Sequence, residues 1–168
     1  LKEMCQWADD TVQRILQTQP QDVLEIGSGS GLILLRLAPH CKHYIGVDFA
    51  AGLLEQTANH LHLIEGSACD IELLHRRADE ITDLPGASLD CVVINSVAQY
   101  FPNINYFLTV LKNALPLVRH GGTLFLGDLR NYKLMDVFHA SIQLSKVAAT
   151  QPVGSLLQRI QRYAALER

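Results

Sequence analysis

The stretch VLEIGSGSGLILLRLAP, residues 23–39, is the most informative part of the sequence about the fold. Its first residues are apolar as in a buried strand, a cluster of glycines follows, and the leucine-rich end is typical of a helix. The glycines stand at alternate positions after a carboxylate at Glu25; they are Gly27, Gly29 and Gly31. In sheets of parallel strands, ligands bind beyond the carboxyl ends of the strands, so this loop is the first candidate for a binding site.

Strands and helices alternate along the rest of the chain. Apolar spacing predicts helices over residues 1–16, 31–38, 53–61 and 104–118. Apolar runs predict strands over residues 23–26, 43–47, 73–78, 89–95 and 123–128, with a turn at 120–122. Because such alternation requires right-handed crossovers, we expect an α/β protein with a doubly wound, mostly parallel sheet of five strands, a Rossmann-like fold.

Only helices are predicted beyond Asp128, around residues 134–142 and 153–164. The fifth strand would then form an exposed sheet edge, which soluble proteins avoid. We expect one domain, with an N-terminal helix at 1–20, a ligand-binding core at 21–128 and a helical segment at 129–168. The exposed edge indicates either that the chain is a piece of a larger multidomain protein or that another segment covers it.

The composition argues against several classes of partner. The net charge is −3 and no run of lysines or arginines occurs, so a basic face for nucleic acid is poorly supported. No stretch of ~20 apolar residues predicts a membrane span. The four cysteines are widely spaced and predict free thiols in a reducing cytoplasm. No metal site is predicted, because the histidine pairs lack further ligands nearby.

Carboxylates, not basic residues, accompany the glycine loop. Asp48 stands about 20 residues past the loop, where a carboxylate can accept both hydroxyls of a ribose. Asp79, after the third strand, can accept from an adenine amine, and Glu25 favours an ammonium or sulfonium group over a pyrophosphate. A dinucleotide fingerprint would need glycine at Leu32, and no P-loop lysine follows. This pattern predicts a cationic nucleoside without phosphate, and S-adenosylmethionine fits it.

Five motifs in their order and spacing resemble the class I S-adenosylmethionine-dependent methyltransferases: LEIGSGSG, GVDFA, RADEI, LDCVVINS and GGTLFLGD. Two more, NSVAQYFPN and GDLRNYKLMDVFHASIQL, resemble the methyltransferase domains embedded in non-ribosomal peptide synthetases and hybrid peptide–polyketide synthases. The resemblance covers almost the whole chain. It implies seven strands, of which the last two would cover strand five and do not occur here.

The resemblance also implies roles for the residues at the carboxyl ends of the strands. The glycine loop would line the methionine end of the cofactor, Asp48 would bind the ribose, and the adenine edge would lie at Ala78 and Asp79. The implied cofactor-binding residues are Glu25, Gly27, Ser28, Gly29, Gly31, Asp48, Phe49, Ala78, Asp79, Asn95 and Ser96.

Members of this family act on an aminoacyl group that phosphopantetheine tethers to a carrier protein, beside adenylation or condensation domains, and give an N-methyl amino acid. Carbon-methylating relatives carry a histidine as base after strand four, where this chain has Gln99, so nitrogen is the favoured acceptor. A free-standing small-molecule N- or O-methyltransferase and a non-catalytic nucleotide-fold module are the alternatives.

Methyl transfer needs alignment more than a strong base, because an α-amine with a pKa near ~8 is substantially neutral in the cytosol. The candidate orienting groups at the mouth of the site are Gln99, Tyr100, Asp128 and His139. Each has a structural alternative. Tyr100 can pack the strand-to-helix corner, Asp128 can cap the exit of strand five, and His139 can be a hydrogen-bonded structural histidine.

Overall fold

The computed structural model describes residues 2–64, 66–146 and 153–166 of the chain. These ranges hold a parallel sheet of five strands, β1 Asp22–Ile26, β2 His43–Asp48, β3 Asp70–His75, β4 Leu89–Asn95 and β5 Val118–Gly127. The helices are α1 Lys2–Leu16, α2 Leu34–Leu37, α3 Ala51–His60, α4 Ile104–Ala114, α5 Met135–Ser145 and α6 Val153–Leu166. None of the helices in these ranges is long and apolar enough to cross a membrane.

The strand order is β3-β2-β1-β4-β5, which confirms the predicted doubly wound sheet. The chain winds outward from β1 in one direction to β3 and in the other through β4 to β5. The order therefore reverses between β1 and β4, and a crevice opens beyond their carboxyl ends. The glycine loop leaves β1 at this point.

Two apolar clusters hold the sheet between its helices. Val23 on β1 belongs to the cluster beneath α1 and α2, whereas the adjacent Leu24 belongs to the cluster beneath α4. This alternation follows from the opposite directions of neighbouring side chains in a strand. All seven residues of β4 are buried, as expected for a central parallel strand covered on both faces.

Several element boundaries differ from the sequence predictions. The helix after the glycine loop begins at Leu34 and ends in a 3₁₀ turn at Ala38–His40, which contains Pro39. Strand β3 ends at His75, since its pairing with β2 stops where Asp48 meets His75. Strand β5 includes the predicted turn at 120–122, which its irregular pairing with β4 accommodates.

The chain divides into two compact units after Asp128. The first contains the sheet and α1 to α4. The second contains α5 and α6, which confirm the two helices predicted there. Within the second unit, Arg159 donates a hydrogen bond to the Gln143 side-chain oxygen at 2.6 Å, and the ring of His139 stacks on Tyr163.

Buried Asp90 at the start of β4 binds the backbone at the start of β1 and pairs with Arg119 on β5. Its Oδ2 accepts hydrogen bonds from the backbone N–H groups of Gln21 at 2.8 Å and Asp22 at 3.0 Å, and its Oδ1 pairs with Arg119. Burial alone raises the pKa of Asp90, but these donors outweigh it, so the pKa lies below its ordinary value. The carboxylate thus fixes where β1 begins.

We predict that Asp90→Ala lowers the free energy of unfolding by about 2–4 kcal/mol, because two backbone donors lose their partner. Since the pKa of Asp90 is lowered in the fold, its contribution is present above about pH 4 and is lost as the pH falls further. Urea unfolding at pH 7 and in acid tests both statements. Exposed Glu72→Ala is the control, and equal effects of the two substitutions would contradict the assigned role.

Candidate active site

The glycine loop is anchored by hydrogen bonds to the backbone of Val47, near the end of β2. The N–H groups of Gly27 and Ser28 both donate to the carbonyl oxygen of Val47, at 2.7 and 3.0 Å. Gly27 has φ +80°, and a Cβ there would lie 2.5 Å from Cγ2 of Val97. Gly31 has φ +75°, and its Cβ would lie 2.7 Å from Cγ2 of Thr57. Both positions therefore require glycine for conformation and for space.

Asp48 joins this loop to the start of α3. Its Oδ2 accepts from the N–H of Gly29 and its Oδ1 from the N–H of Ala50, both at 2.8 Å, and the residue is buried. Each carboxylate oxygen keeps a second lone pair, so these bonds leave capacity for two hydroxyl donors. Asp48, the residue predicted to bind the ribose, thus has a structural role as well.

Glu25 lies at the base of the loop and is only 3% exposed. The hydroxyl of Tyr44 donates to its Oε2 at 2.9 Å. Burial raises the pKa of Glu25 to about 8; the Tyr44 hydrogen bond opposes this shift, and the charge of Asp48 adds to it. Near neutral pH this carboxyl group is therefore largely protonated, and a nearby cation would favour its ionised form.

A first cavity, of about 300 Å³, lies on the β2 side of the loop. Asp48 lines it together with apolar side chains such as Ala78 and Val97. Phe49 and Tyr100 also line it and are 71% and 76% exposed, so two aromatic rings flank its opening. This largely apolar slot beside a carboxylate, with Arg76 and Arg77 also in its lining, fits a flat base attached to a sugar.

Asp79 follows Ala78 but does not line this cavity. Its Oδ1 accepts from the hydroxyl of Tyr106 at 2.7 Å and from Nε of Arg77 at 3.2 Å. The Tyr106 hydrogen bond is the main cause that holds the pKa of Asp79 below its ordinary value. This carboxylate therefore holds Tyr106, which lines the first cavity, in place. The sequence motif does not indicate this role.

A second cavity, of about 550 Å³, lies on the other side of the loop. Predicted residues from β1, the loop and the ends of β4 and β5 line it: Glu25, Gly27, Ser28, Gly29, Asn95, Ser96 and Asp128. Helix α1 adds three residues to which no sequence motif points, Glu3, Met4 and Trp7. The one available signal was Trp7 itself, the only tryptophan of the chain.

The ends of β4 and β5 are strained beside this cavity. Ser96 and Asp128 have φ of +56° and +51°, a left-handed conformation that costs non-glycine residues about 1–3 kcal/mol each. The hydroxyl of Ser96 donates to Oδ2 of Asp128 at 2.5 Å. Such strain concentrates at functional sites, where the surrounding structure enforces it.

The four candidate orienting residues do not occupy one place. Gln99 donates from Nε2 to the carbonyl of Ser96 at 2.9 Å, while Tyr100 lines the first cavity and Asp128 the second. His139 belongs to the second unit, where it is buried beside Phe138 and Tyr163. The first unit therefore brings three of the four to the carboxyl end of its sheet.

Residues 24–124 match the family model described as a methyltransferase domain. The chain is 42% identical over 95% of its length to chondramide synthase cmdD of Chondromyces crocatus, and 37% identical over 99% to nonribosomal peptide synthetase agiA of Aspergillus flavus. It spans only 4% and 2% of these two relatives. The N-methyltransferase NodS of Bradyrhizobium japonicum WM9, solved with S-adenosyl-L-homocysteine, shares the fold with a TM-score of 0.60 and 19% identity, covering 70% of this chain and 60% of NodS.

We predict a pH dependence of stability that Glu25 causes. Because its pKa rises from 4.5 to about 8 on folding, its contribution is fully present below pH 4.5 and is lost as the pH rises through 8. The loss amounts to a few kcal/mol, on the order of 1.4 kcal/mol per unit. Urea unfolding of Glu25→Gln between pH 5 and 9 should show a flatter profile than wild type. Parallel profiles would contradict the burial of an ionisable group here, and exposed Glu55→Gln is the matched control.

Proposed function

This chain belongs to the methyltransferase domain family, and we propose that it methylates the amino group of an aminoacyl residue tethered to a carrier protein during non-ribosomal peptide synthesis. S-adenosylmethionine is its methyl donor. The relatives named as nonribosomal peptide synthetases support the setting, since they contain a matching segment as a small part of a long chain.

The observation that carries the proposal is the charge of the second cavity. Three carboxyl groups line it, those of Glu3, Glu25 and Asp128, and no lysine, arginine or histidine of the described chain does so. The buried Glu25 is largely protonated near neutral pH and adds negative charge only when a cation favours its ionised form. A phosphate would be repelled there, whereas a sulfonium and an ammonium would be attracted. The cavity therefore suits both a cationic donor and an amine acceptor.

Features of the first unit fit the donor along its length. The apolar slot of the first cavity suits the adenine, and the free lone pairs of Asp48 suit the ribose hydroxyls. The hydroxyl oxygen of Ser28 is buried on the second cavity with no partner among the described residues. Because buried polar atoms normally find a partner, this oxygen fits a site that a polar ligand completes.

The protein's contribution to the reaction is alignment. When bound, S-adenosylmethionine would supply a methyl group on a positive sulfur to a neutral amine. Holding both in attack geometry and excluding water can supply ~7–11 kcal/mol. Asp128, which Ser96 holds at 2.5 Å, can hydrogen-bond the amine and accept the proton that it loses. Gln99, in place of a histidine base, agrees with nitrogen as the acceptor.

The partners follow from this setting and form part of the proposal. They are a carrier protein that bears the phosphopantetheine-linked substrate and neighbouring adenylation or condensation domains. A cytoplasmic location belongs to the same proposal, and the four cysteines, all of them free thiols, agree with it.

We predict that Asp48→Asn weakens S-adenosylmethionine binding about 10- to 100-fold, because one hydroxyl loses its acceptor, at a cost of about 1–3 kcal/mol. Isothermal titration calorimetry gives the affinity. Thermal unfolding must accompany it, since Asp48 also anchors the loop. Exposed Asp70→Asn serves as the control, and unchanged affinity in Asp48→Asn would show that the ribose lies elsewhere.

The activity itself is tested in the whole protein that contains this chain. Its carrier protein is loaded with the amino acid, incubated with S-adenosylmethionine and analysed by intact mass. A gain of one methyl group on the loaded carrier is the expected result. Methylation of diffusible amines or phenols alone would contradict the proposal and favour a small-molecule methyltransferase.

A further inference from the structure

Glu25 is a buried carboxyl group that lines the second cavity without a cation beside it. The residue is 3% exposed, and the hydroxyl of Tyr44 donates to its Oε2 at 2.9 Å. Within the described chain, no lysine, arginine or histidine forms an ion pair with it. An ionised carboxylate buried without a cation is costly, so the group stays neutral until a positive charge pairs with it.

The charged groups around Glu25 make its ionisation harder. Asp48, at the end of β2, adds its negative charge to the effect of burial, and the pKa of Glu25 is raised to about 8. Across the cavity, Glu3 on α1 and Asp128 after β5 are also carboxylates. Arg36 on α2 pairs with α1 and does not line the cavity. A cation for Glu25 must therefore come from a ligand.

The other titratable groups beside this carboxyl group stay neutral near physiological pH. Burial raises the pKa of the Tyr44 hydroxyl well above its ordinary value. The thiols of Cys41 and Cys91 interact electrostatically with Tyr44, and burial raises the pKa of each to about 12. Among these buried groups, Glu25 is thus the one that titrates near neutral pH.

The arrangement of the two cavities indicates which part of the donor reaches Glu25. Asp48, the proposed ribose ligand, lines the first cavity, whereas Glu25 lines only the second. In S-adenosylmethionine the sulfur is one carbon away from the ribose ring, and the ammonium group lies at the far end of the methionine chain. That end would extend into the second cavity, where the hydroxyl of Ser28 can donate to its carboxylate and Glu25 can meet its ammonium.

We propose that the second cavity exchanges a proton for its ligand, so that Glu25 is a neutral carboxylic acid in the ligand-free protein and releases its proton when the ammonium group of the donor binds beside it. The inference rests on the proposed function, because it takes S-adenosylmethionine as the ligand. The O–H bond of the carboxyl group breaks, the proton passes to the buffer, and the electron pair left on oxygen accepts a hydrogen bond from the ammonium. The hydroxyl of Tyr44 donates to the new carboxylate.

The exchange makes the affinity for the donor depend on pH. While Glu25 is protonated in the ligand-free protein, binding must displace a proton, so the affinity rises nearly tenfold for each pH unit. This rise ends as the pH approaches 8, where the group ionises without a ligand. The α-amino group of the donor has a pKa near ~8 as well, so the range from about pH 5.5 to 7 reports on Glu25.

The first test counts the protons in the whole protein that contains this chain. Calorimetric titration with S-adenosylmethionine is repeated in phosphate and imidazole buffers at the same pH, and the difference in heat gives the number of protons released. We expect about 0.5–1 proton per bound ligand at about pH 6.5. Binding without proton release would overturn the inference and leave the proposed function standing, whereas no binding of the donor would overturn both.

The second test compares two ligands that differ in the ammonium group. S-adenosyl-L-homocysteine has lost the sulfonium and keeps the ammonium, so we expect it to release the same number of protons as the donor. 5′-Methylthioadenosine lacks the amino acid end, so we expect no proton release. No release with the first ligand, or equal release with both, would overturn the pairing of Glu25 with the ammonium.

The third test removes the ionisable group. Glu25→Gln keeps the shape of the side chain and an oxygen that accepts from Tyr44, but it cannot ionise. We expect proton release to be lost and the affinity to change less than about twofold from pH 5.5 to 7. The matched control is Glu55→Gln on α3, at an exposed residue that lines none of the three cavities, and it should keep the wild-type release. Proton release that survives in Glu25→Gln would overturn the inference.

Tyr44→Phe tests the same step without altering the carboxyl group. The Tyr44 hydrogen bond favours the ionised form of Glu25, so its removal makes the proton harder to displace. We expect the affinity at neutral pH to fall about three- to tenfold, while the protons released per bound ligand remain. An affinity equal to that of wild type would contradict the ionisation of Glu25 in the complex.

Discussion

The hydrogen bonds of Asp48 to the backbone of Gly29 and Ala50 are the contact on which the rest of the site depends. They hold the glycine loop in its left-handed conformation, with further bonds from the loop to Val47. The loop in turn separates the two cavities on either side of β1. A flexible loop would have to be ordered each time a ligand bound, at a cost in conformational entropy. The carboxylate removes that cost before binding.

The site is electrostatically incomplete by itself. Glu25 is buried with the hydroxyl of Tyr44 as its hydrogen-bond partner, and burial raises its pKa to about 8. A cation in the second cavity would lower that pKa again, because an opposite charge stabilises the ionised form. The strain at Ser96 and Asp128 lies beside the same cavity. Buried Glu25 and the strained backbone of Ser96 and Asp128 thus lower the stability of the fold at a place where a bound positively charged ligand would offset part of the loss.

Much of the fold could be predicted from the sequence, because its signals are local. Strands β1 and β4 are rich in apolar residues and buried on both faces, and the glycine motif follows β1 directly, so the sequence indicates both their type and their parallel order. Strand β3 was misplaced since its residues alternate only weakly in burial and its bounds depend on pairing with β2. The turn at 120–122 belongs to β5 only because β4 lies beside it.

The glycine loop and the acids at the strand ends can be identified from the sequence, because a motif depends only on which residues follow one another along the chain. The contacts of those side chains, in contrast, follow from the folded structure. It turned Asp79 toward Tyr106 and Arg77, and it brought Glu3 and Trp7 of α1 to the same cavity as Asn95 and Asp128. These contacts join distant parts of the chain through packing on both apolar clusters, and no spacing along the sequence encodes them.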